Sequence, residues 1–298
     1  MPFFNPNPDD LVVIGTQEYR VVPHPATSSI AYGQESRRGI VYCLKSISGQ
    51  RYALKQFKAA FRSQHILTIS KLLQPLQTWN GLQVASRLVI TRDSMPELVT
   101  RYPDLEYAVL MPWVEGNTWF DSIYTKTPLA TSTCMQMASS LTSLLSRLEA
   151  HSLAHTDISS GNVLFEHASG QSALVGLESF YGPGFPEPLQ VPFGTDGYRH
   201  PKDNNGQWNS AGDRFAAAVL TSECLTWYDE EIRSSRYGEH FFDTHEIGKL
   251  CHRYNLMHAI LQKLNSSLAG LFELAWFSGN LQETPTLKAW HDVVLATI

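Results

Sequence analysis

The stretch from His155 to Phe165 constrains this chain more than any other. It reads H-T-D-I-S-S-G-N-V-L-F, so that Asp157 stands two residues after His155 and five residues before Asn162. The apolar residues after Asn162 predict a β-strand, and the polar residues before it predict a loop. Such a loop is either an ordinary connection with a turn-capping Asp or a set of reactive groups at fixed spacing. The order of the other elements along the chain decides between these alternatives.

Strand signals occupy the first part of the chain. A Ser-Gly pair in Ser48-Gly49-Gln50 predicts a hairpin turn between two of the β-prone runs. Residues 1–15 begin rich in Pro, Asn and Asp, so we expect a lead-in that adds nothing to the core. The predicted strands of this part are residues 19–22, 39–44 and 52–57.

Two helices are predicted from apolar residues at helical spacing. The first covers residues 60–74 and stops at Pro75, which cannot continue a helix. The second, around residues 135–148, is long and leads directly into His155.

Composition excludes several classes of protein. The chain has 298 residues of which 43% are apolar, which suits one large domain or two lobes. It has no apolar run of about 18 residues and no basic, apolar N-terminal segment, so we expect neither a membrane span nor a signal peptide. Its cysteines lack C-x-x-C spacing, and we expect reduced thiols in a cytoplasmic protein. They are Cys43, Cys134, Cys224 and Cys251.

Charge is unevenly distributed, although the net charge is only -5. From Ser36 to Arg92 there is no Asp or Glu, whereas Lys and Arg recur throughout. This basic stretch is either a solvated face or a surface for an anion or an acidic protein partner. It contains no recognised nucleic-acid-binding motif, so we do not expect nucleic acid as the partner.

The motifs, in their order along the chain, resemble those of the protein kinase superfamily. Ala53-Leu54-Lys55 resembles the strand whose lysine holds the ATP phosphates, and H-T-D-I-S-S-G-N resembles the catalytic loop. Residues 194–201, G-T-D-G-Y-R-H-P, resemble the G-T-x-x-Y-x-x-P end of the activation segment. Asp213 resembles the acid that opens the central helix of the large lobe and braces the catalytic loop.

The resemblance implies a two-lobed α+β fold with a small, β-rich N-lobe and a larger, helical C-lobe. It implies a lead-in over residues 1–15, an N-lobe over residues 16–111, a hinge over residues 112–116 and a C-lobe over residues 117–298.

The same resemblance implies an ATP site with magnesium. Asp157 would be the catalytic base, Lys55 would hold the phosphates, and Asn162 would bind the metal. The adenine slot would be lined by Val41 and Ala53 as the roof, Met111 as the gatekeeper, the Pro112 carbonyl, the Val114 backbone, and Leu164 as the floor.

Two departures from the family pattern concern the carboxylates that organise Mg-ATP. Gly176 stands where the family has its metal-binding Asp, and glycine has no side chain to bind a metal. Glu178 would lie on the same face if the strand continued, and it is the alternative metal ligand. No acid lies between Glu35 and Asp93, so Lys55 lacks its usual carboxylate partner from the following helix.

Further departures remove other charged groups. The phosphate-covering loop, residues 34–39, has one glycine, and Thr156 replaces an arginine that pairs with a regulatory phosphate. Lys202 and Thr284 replace a glutamate and an arginine that form a buried pair. Losing both charges avoids an uncompensated buried ion and leaves Lys202 free to reach solvent.

These observations leave three functions open. The first is a pseudokinase with weak or absent phosphotransfer that acts as a scaffold or regulator. The second is an active, atypical Ser/Thr or small-molecule kinase that uses ATP, with Asp157 as base and Asn162 and Glu178 on the metal. The third is an interaction module that binds a protein partner through the basic N-lobe.

Overall fold

The computed structural model describes residues 3–188, 190–238 and 240–298, and it divides the chain into two compact units. Unit 1 covers Met1–Val114 and is built on an antiparallel sheet, whereas unit 2 covers Glu115–Ile298 and is mainly helical. The predicted α+β class is confirmed. The boundary between the units falls within residues 112–116, the predicted hinge.

Unit 1 contains one antiparallel sheet and a separate hairpin. Its strands are β1 (Leu11–Ile14), β2 (Gln17–Val21), β3 (Pro23–His24), β4 (Thr27–Ala31), β5 (Gly33–Glu35), β6 (Gly39–Ser46), β7 (Arg51–Phe57), β8 (Leu88–Val89) and β9 (Val109–Pro112). The strand order of the sheet is β1-β2-β6-β7-β9-β8, with β5 paired to β6, and β3 and β4 form the hairpin.

The predicted hairpin between β6 and β7 is confirmed. The Gly49 N–H donates to the Ser46 carbonyl at 2.9 Å, and Gly49 has a φ of 90°. A side chain at this left-handed position would strain the backbone, so the turn requires glycine.

The prediction of residues 1–15 as a lead-in outside the core was wrong. Residues 11–14 form β1, whose Val12 and Ile14 point into the core of unit 1 and are buried. Phe4 is also buried, and its ring packs edge-on against Tyr42 and Tyr102 at centroid distances of 5.6 and 5.4 Å. The Pro, Asn and Asp residues that suggested a lead-in form the turn between these two anchored segments.

Two helices complete unit 1, α1 (Gln64–Leu73) and α2 (Pro96–Arg101). The predicted first helix begins four residues later than expected, because Arg62 is extended and donates from its Nε to the Phe57 carbonyl at 2.8 Å. It ends at Leu73, directly before a 3-10 turn that contains Pro75.

Unit 2 joins a small sheet to a set of packed helices. In chain order its elements are β10 (Asn117–Thr118), α3 (Trp119–Thr125), α4 (Thr131–Ala150), β11 (Val163–Glu166), β12 (Gln171–Leu174), α5 (Arg214–Thr226), α6 (Glu230–Ser235), α7 (His252–Leu264), α8 (Ser266–Trp276) and α9 (Leu287–Leu295). The predicted long helix is α4, and α5 is buried along nearly its whole length. In the described ranges no helix combines the length and the apolar composition that crossing a bilayer requires.

Glu149 ties three helices of unit 2 together. Its carboxylate accepts from Arg214 Nε of α5 at 2.5 Å and from the Leu287 N–H of α9 at 2.9 Å. The side chains of Glu149 and Arg214 are only 13% and 19% exposed, so solvent screens this pair weakly.

We expect Glu149→Ala to lower the free energy of unfolding by about 2 kcal/mol, because it leaves a partly buried guanidinium and a helix N-terminal N–H without their acceptor. Urea titration followed by circular dichroism measures this loss. The matched control is Lys288→Ala, which breaks an exposed pair with Asp292 on α9 and should change stability by less than about 0.5 kcal/mol. Equal effects of the two substitutions would contradict the prediction.

Candidate functional site

The loop from His155 to Asn162 is held in place by one buried carboxylate, that of Asp213. Asp213 Oδ2 accepts from the His155 N–H at 2.6 Å, and Oδ1 accepts from the Thr156 N–H at 2.7 Å. Asp213 stands at the start of α5 and is 1% exposed. Thr156 has a φ of 66°, a left-handed conformation that costs a branched residue about 1 to 2 kcal/mol. The bonds to Asp213 therefore keep the loop in a conformation that the chain would not adopt alone.

The His155 ring fixes the backbone on both sides of the loop. The Asp157 N–H donates to Nδ1 at 3.2 Å, and Nε2 lies 2.7 Å from the Val175 carbonyl. Because a carbonyl only accepts, Nε2 is the donor in this hydrogen bond. His155 thus connects the backbone of Asp157 to the end of β12.

Asp157 and Asn162, predicted to act together, lie side by side. Asn162 Nδ2 donates to the Asp157 carbonyl at 2.8 Å and lies 3.3 Å from Asp157 Oδ2. The Thr195 hydroxyl donates to Asp157 Oδ1 at 3.0 Å. Asp157 stays partly exposed, so its carboxylate is oriented and still accessible. The sequence analysis assigned no site role to Thr195, although its place in the G-T-x-x-Y motif was a signal for it.

Gly176 lies against the side chain of Asn162. It has a φ of 78°, and a Cβ at this position would lie 2.7 Å from Asn162 Oδ1. The Asn162 amide therefore occupies the space into which a side chain at position 176 would project.

Glu178 does not lie where the sequence analysis placed it. The strand does not continue, because β12 ends at Leu174 and the left-handed Gly176 turns the chain into a 3-10 turn over Leu177–Ser179. The expectation that Glu178 shares a strand face with position 176 was therefore wrong. Glu178 is buried, at 9% exposure.

The side chains around Asp157 do not fit a magnesium ion. Magnesium takes oxygen ligands in near-octahedral geometry, usually with at least one carboxylate beside the phosphates. Gly176 supplies no oxygen, and the Asn162 amide fills the space beside it. Over the part of the chain that the structure describes, no three His, Cys, Asp or Glu side chains are grouped to hold a metal.

Residues 194–201 are anchored to α5 through a second buried carboxylate. Glu223 Oε2 accepts from the Tyr198 hydroxyl at 2.8 Å and from Trp119 Nε1 at 2.7 Å. Burial raises the pKa of Glu223 to about 7. This carboxylate therefore joins residues 194–201 to α5 and, through Trp119, to α3. Nothing in the sequence pointed to Glu223.

Neutral hydrogen bonds link the segment around Lys202 to Thr284, the two positions at which the resemblance to protein kinases implies a charged pair. The buried His200 Nε2 lies 3.0 Å from Ser278 Oγ, which lies 3.2 Å from Thr284 Oγ1. Lys202 is exposed, as predicted, and donates from Nζ to the Ser278 carbonyl at 3.3 Å. The Thr284 position is thereby joined to residues 194–201 without ionised groups.

Unit 1 brings together most of the residues predicted for a nucleotide site on that side. On β7, Lys55 is paired with Val41 of β6 and with Val109 of β9, and Ala53 is paired with Met111. Pro112 ends β9 opposite Tyr52, and Val114 follows it. Lys55 is 7% exposed, and its Nζ lies 5.3 Å from the centroid of the Phe57 ring. In unit 2, Leu164 lies on β11 opposite Ala173 and is half-buried.

The turn between β5 and β6 carries the exposed Arg37 at its tip. It is closed by the Ser36 N–H, which donates to the Gly39 carbonyl at 2.7 Å. Glu35 pairs with Lys58 at 2.8 Å, and this hydrogen bond lowers the pKa of Glu35. The negative charge of Glu35 is therefore offset by a neighbouring cation.

Comparison with known proteins assigns no family. No protein-family model matches the chain, and a search of curated proteins finds no relative.

We expect Glu223→Gln to change how stability depends on pH. Since burial raises the pKa of Glu223 from 4.5 to about 7, the folded protein holds a proton between these values that the unfolded chain releases. Wild-type stability therefore falls as pH rises through this window, and the glutamine variant, which keeps an acceptor oxygen, escapes that loss. From pH 5 to pH 8, the variant should gain on the order of 1 to 3 kcal/mol relative to wild type in urea titrations.

The exposed Glu187→Gln serves as the control, and its difference from wild type should stay constant over the same range. A difference for Glu223→Gln that did not vary with pH would show that Glu223 is ionised throughout.

Proposed function

We propose that the chain is a protein-kinase-like protein, with unit 1 as the small lobe and unit 2 as the large lobe, and that it acts as a pseudokinase. One observation carries this proposal: Asp213 holds a loop with Asp157 and Asn162 in place, while Gly176 provides no carboxylate beside them. The frame for phosphoryl transfer is kept and the charge that places the metal is missing.

The absence of a carboxylate at position 176 lowers the rate of phosphoryl transfer that we expect. Phosphoryl transfer depends almost entirely on positioning and on electrostatic stabilisation of the transferring group. Removing the metal-binding carboxylate removes the ion that neutralises the phosphates. We therefore expect phosphotransfer to be weak or absent, with a scaffold or regulatory role in its place.

The helix that follows the strand of Lys55 contains no acid. In an active kinase this lysine is held by a glutamate from the helix after its strand. Here that helix, α1, has the sequence QHILTISKLL, and Gln64 is the first residue in it. Since α1 contains no acid, it cannot supply an ion pair to Lys55.

A partner protein would then account for the basic stretch from Ser36 to Arg92. Arg37 is exposed at the turn between β5 and β6, where an acidic surface would meet it first. This role requires no nucleotide.

The first test is ATP binding measured by calorimetry, once with magnesium and once with EDTA. We expect weak binding whose Kd differs by less than about twofold between the two conditions, because position 176 offers the metal no carboxylate. Lys55→Ala should weaken this binding about tenfold, since it removes the cation predicted for the phosphates.

The control for this test is Lys45→Ala, an exposed lysine on the neighbouring strand β6. It should bind ATP as wild type does. Binding that magnesium strengthens tenfold or more would contradict the pseudokinase proposal, whereas no binding in either condition would leave a scaffold without nucleotide.

A second candidate function, an active atypical Ser/Thr or small-molecule kinase, is favoured by the bonds to Asp157. Thr195 and Asn162 orient its carboxylate, as a general base for a hydroxyl acceptor requires. In this alternative Glu178 replaces the missing metal ligand.

Transfer of radiolabelled phosphate from ATP distinguishes the two candidates. We expect wild type to transfer no more phosphate, to itself or to casein, than Asp157→Ala does. Transfer that Asp157→Ala abolishes would establish the active kinase. In that event Glu178→Ala tests the metal assignment against Glu187→Ala, and full activity of Glu178→Ala would remove Glu178 from it.

A further inference from the structure

Strand β1 is an edge of the unit 1 sheet and presents apolar side chains to solvent. It stands at one end of the strand order and pairs with β2. Its burial alternates, so that Val12 and Ile14 are buried while Leu11 and Val13 are 50% and 48% exposed. An apolar edge strand of this kind is prone to pair with a further strand.

The backbone of β1 is ready for such pairing. The Val21 N–H donates to the Asp10 carbonyl at 3.0 Å, and the register pairs Val12 with Tyr19. Because hydrogen-bonded pairs alternate in an antiparallel ladder, the N–H and C=O groups of Leu11 and Val13 point away from β2. In the described ranges no strand pairs with this outer edge.

A cavity of about 290 Å³ opens at the Leu11 end of this edge. Its lining includes Phe3, Phe4, Pro6, Arg101 and Tyr102. The wall is fixed, because the Phe4 N–H donates to the buried Asp104 Oδ2 at 2.8 Å. The cavity therefore lies in the folded part of unit 1.

The cavity contains a cation without an acidic partner. Arg101 ends α2, is exposed, and has its Cζ 5.1 Å from the centroid of the Tyr102 ring. None of the carboxylates among the described residues forms an ion pair with it. Asp10 also lines the cavity, but its Oδ2 already accepts the Asn7 N–H at 2.7 Å.

We propose that the β1 edge and this cavity bind the C-terminal segment of a partner protein. The segment adds an antiparallel strand to Leu11 and Val13, with apolar side chains over theirs. An antiparallel strand runs from the Ile14 end towards the Leu11 end, so its C-terminus arrives at the cavity. There its carboxylate meets the Arg101 guanidinium, which suits bidentate pairing with carboxylates. This inference does not depend on whether the chain binds ATP.

The test begins with random peptides displayed with free C-termini and selected on the full chain. An enriched peptide is then synthesised as the free acid and as the amide, and its Kd is measured by fluorescence polarisation. We expect the amide to bind at least about tenfold more weakly, because it lacks the charge that Arg101 meets.

Two pairs of variants locate the binding. Val13→Pro removes the outward N–H at a site where an edge strand tolerates proline, and Val13→Ala keeps this N–H. Arg101→Gln removes the cation, and Arg199→Gln instead removes an exposed arginine of unit 2 that also lies over an aromatic ring. The first member of each pair should raise the Kd at least about tenfold, and the second should leave it within about threefold of wild type.

Several outcomes would overturn the proposal. The first is that no peptide is enriched. The second is that Val13→Pro or Arg101→Gln binds the peptide as tightly as wild type does. The third is equal binding of the free acid and the amide, because that result would assign the contact to a side chain of the peptide. A homodimer in sedimentation that Val13→Pro dissociates would assign the edge to a second copy of this chain. If Val13→Pro does not fold, Arg101→Gln and the amidated peptide still test the proposal, because neither alters the β1 backbone.

Discussion

The arrangement of unit 2 around Asp157 depends on one buried carboxylate. Asp213 stands at the head of α5, and its two oxygens accept the N–H groups of His155 and Thr156. Burial raises the pKa of Asp213 and so opposes its ionisation, while the two N–H donors act in the opposite direction. The carboxylate is thus held in a dry site by the backbone that it fixes. Without it the left-handed Thr156 would relax, and His155 would no longer hold Asp157 and the end of β12 together.

Around this anchor, neutral contacts stand where the resemblance to protein kinases implies charged groups. Gly176 offers no carboxylate, and the Asn162 amide fills the adjoining space. His200, Ser278 and Thr284 form a hydrogen-bond chain where the resemblance implies an ion pair. Removing only one member of a buried ion pair leaves an uncompensated charge that costs about 3 to 5 kcal/mol, whereas removing both permits a neutral packing. Neutral groups at these positions are therefore compatible with the hydrogen bonds that hold the His155–Asn162 loop.

Local signals in the sequence predicted those parts of the fold that local contacts determine. The runs that became β2, β6 and β7, the hairpin at Gly49 and the long helix α4 each follow from residue pattern alone. Predictions from the sequence were wrong where contacts between residues far apart along the chain determine the structure. Residues 1–15 looked like a lead-in because their Pro and Asn content hides contacts to Tyr42 and Asp104. Glu178 was misplaced because one left-handed glycine ends the strand. The contacts of Thr195 to Asp157 and of Tyr198 to Glu223 span 38 and 25 residues, and no local pattern encodes such pairs.

The retained Asp157 and Asn162 do not by themselves require catalysis, because each has structural bonds to make. Asn162 closes the loop on itself, because its Nδ2 donates to the Asp157 carbonyl at 2.8 Å. Asp157 accepts the Thr195 hydroxyl and thereby holds residues 194–201 to the loop. Replacing either residue with an apolar one would leave polar groups unpaired at a cost of about 1 to 3 kcal/mol each. A chain that has lost phosphotransfer would therefore still need both residues to keep the loop folded. Under the proposed function the distinguishing residue is Gly176, which stands where the resemblance to protein kinases implies a metal-binding Asp.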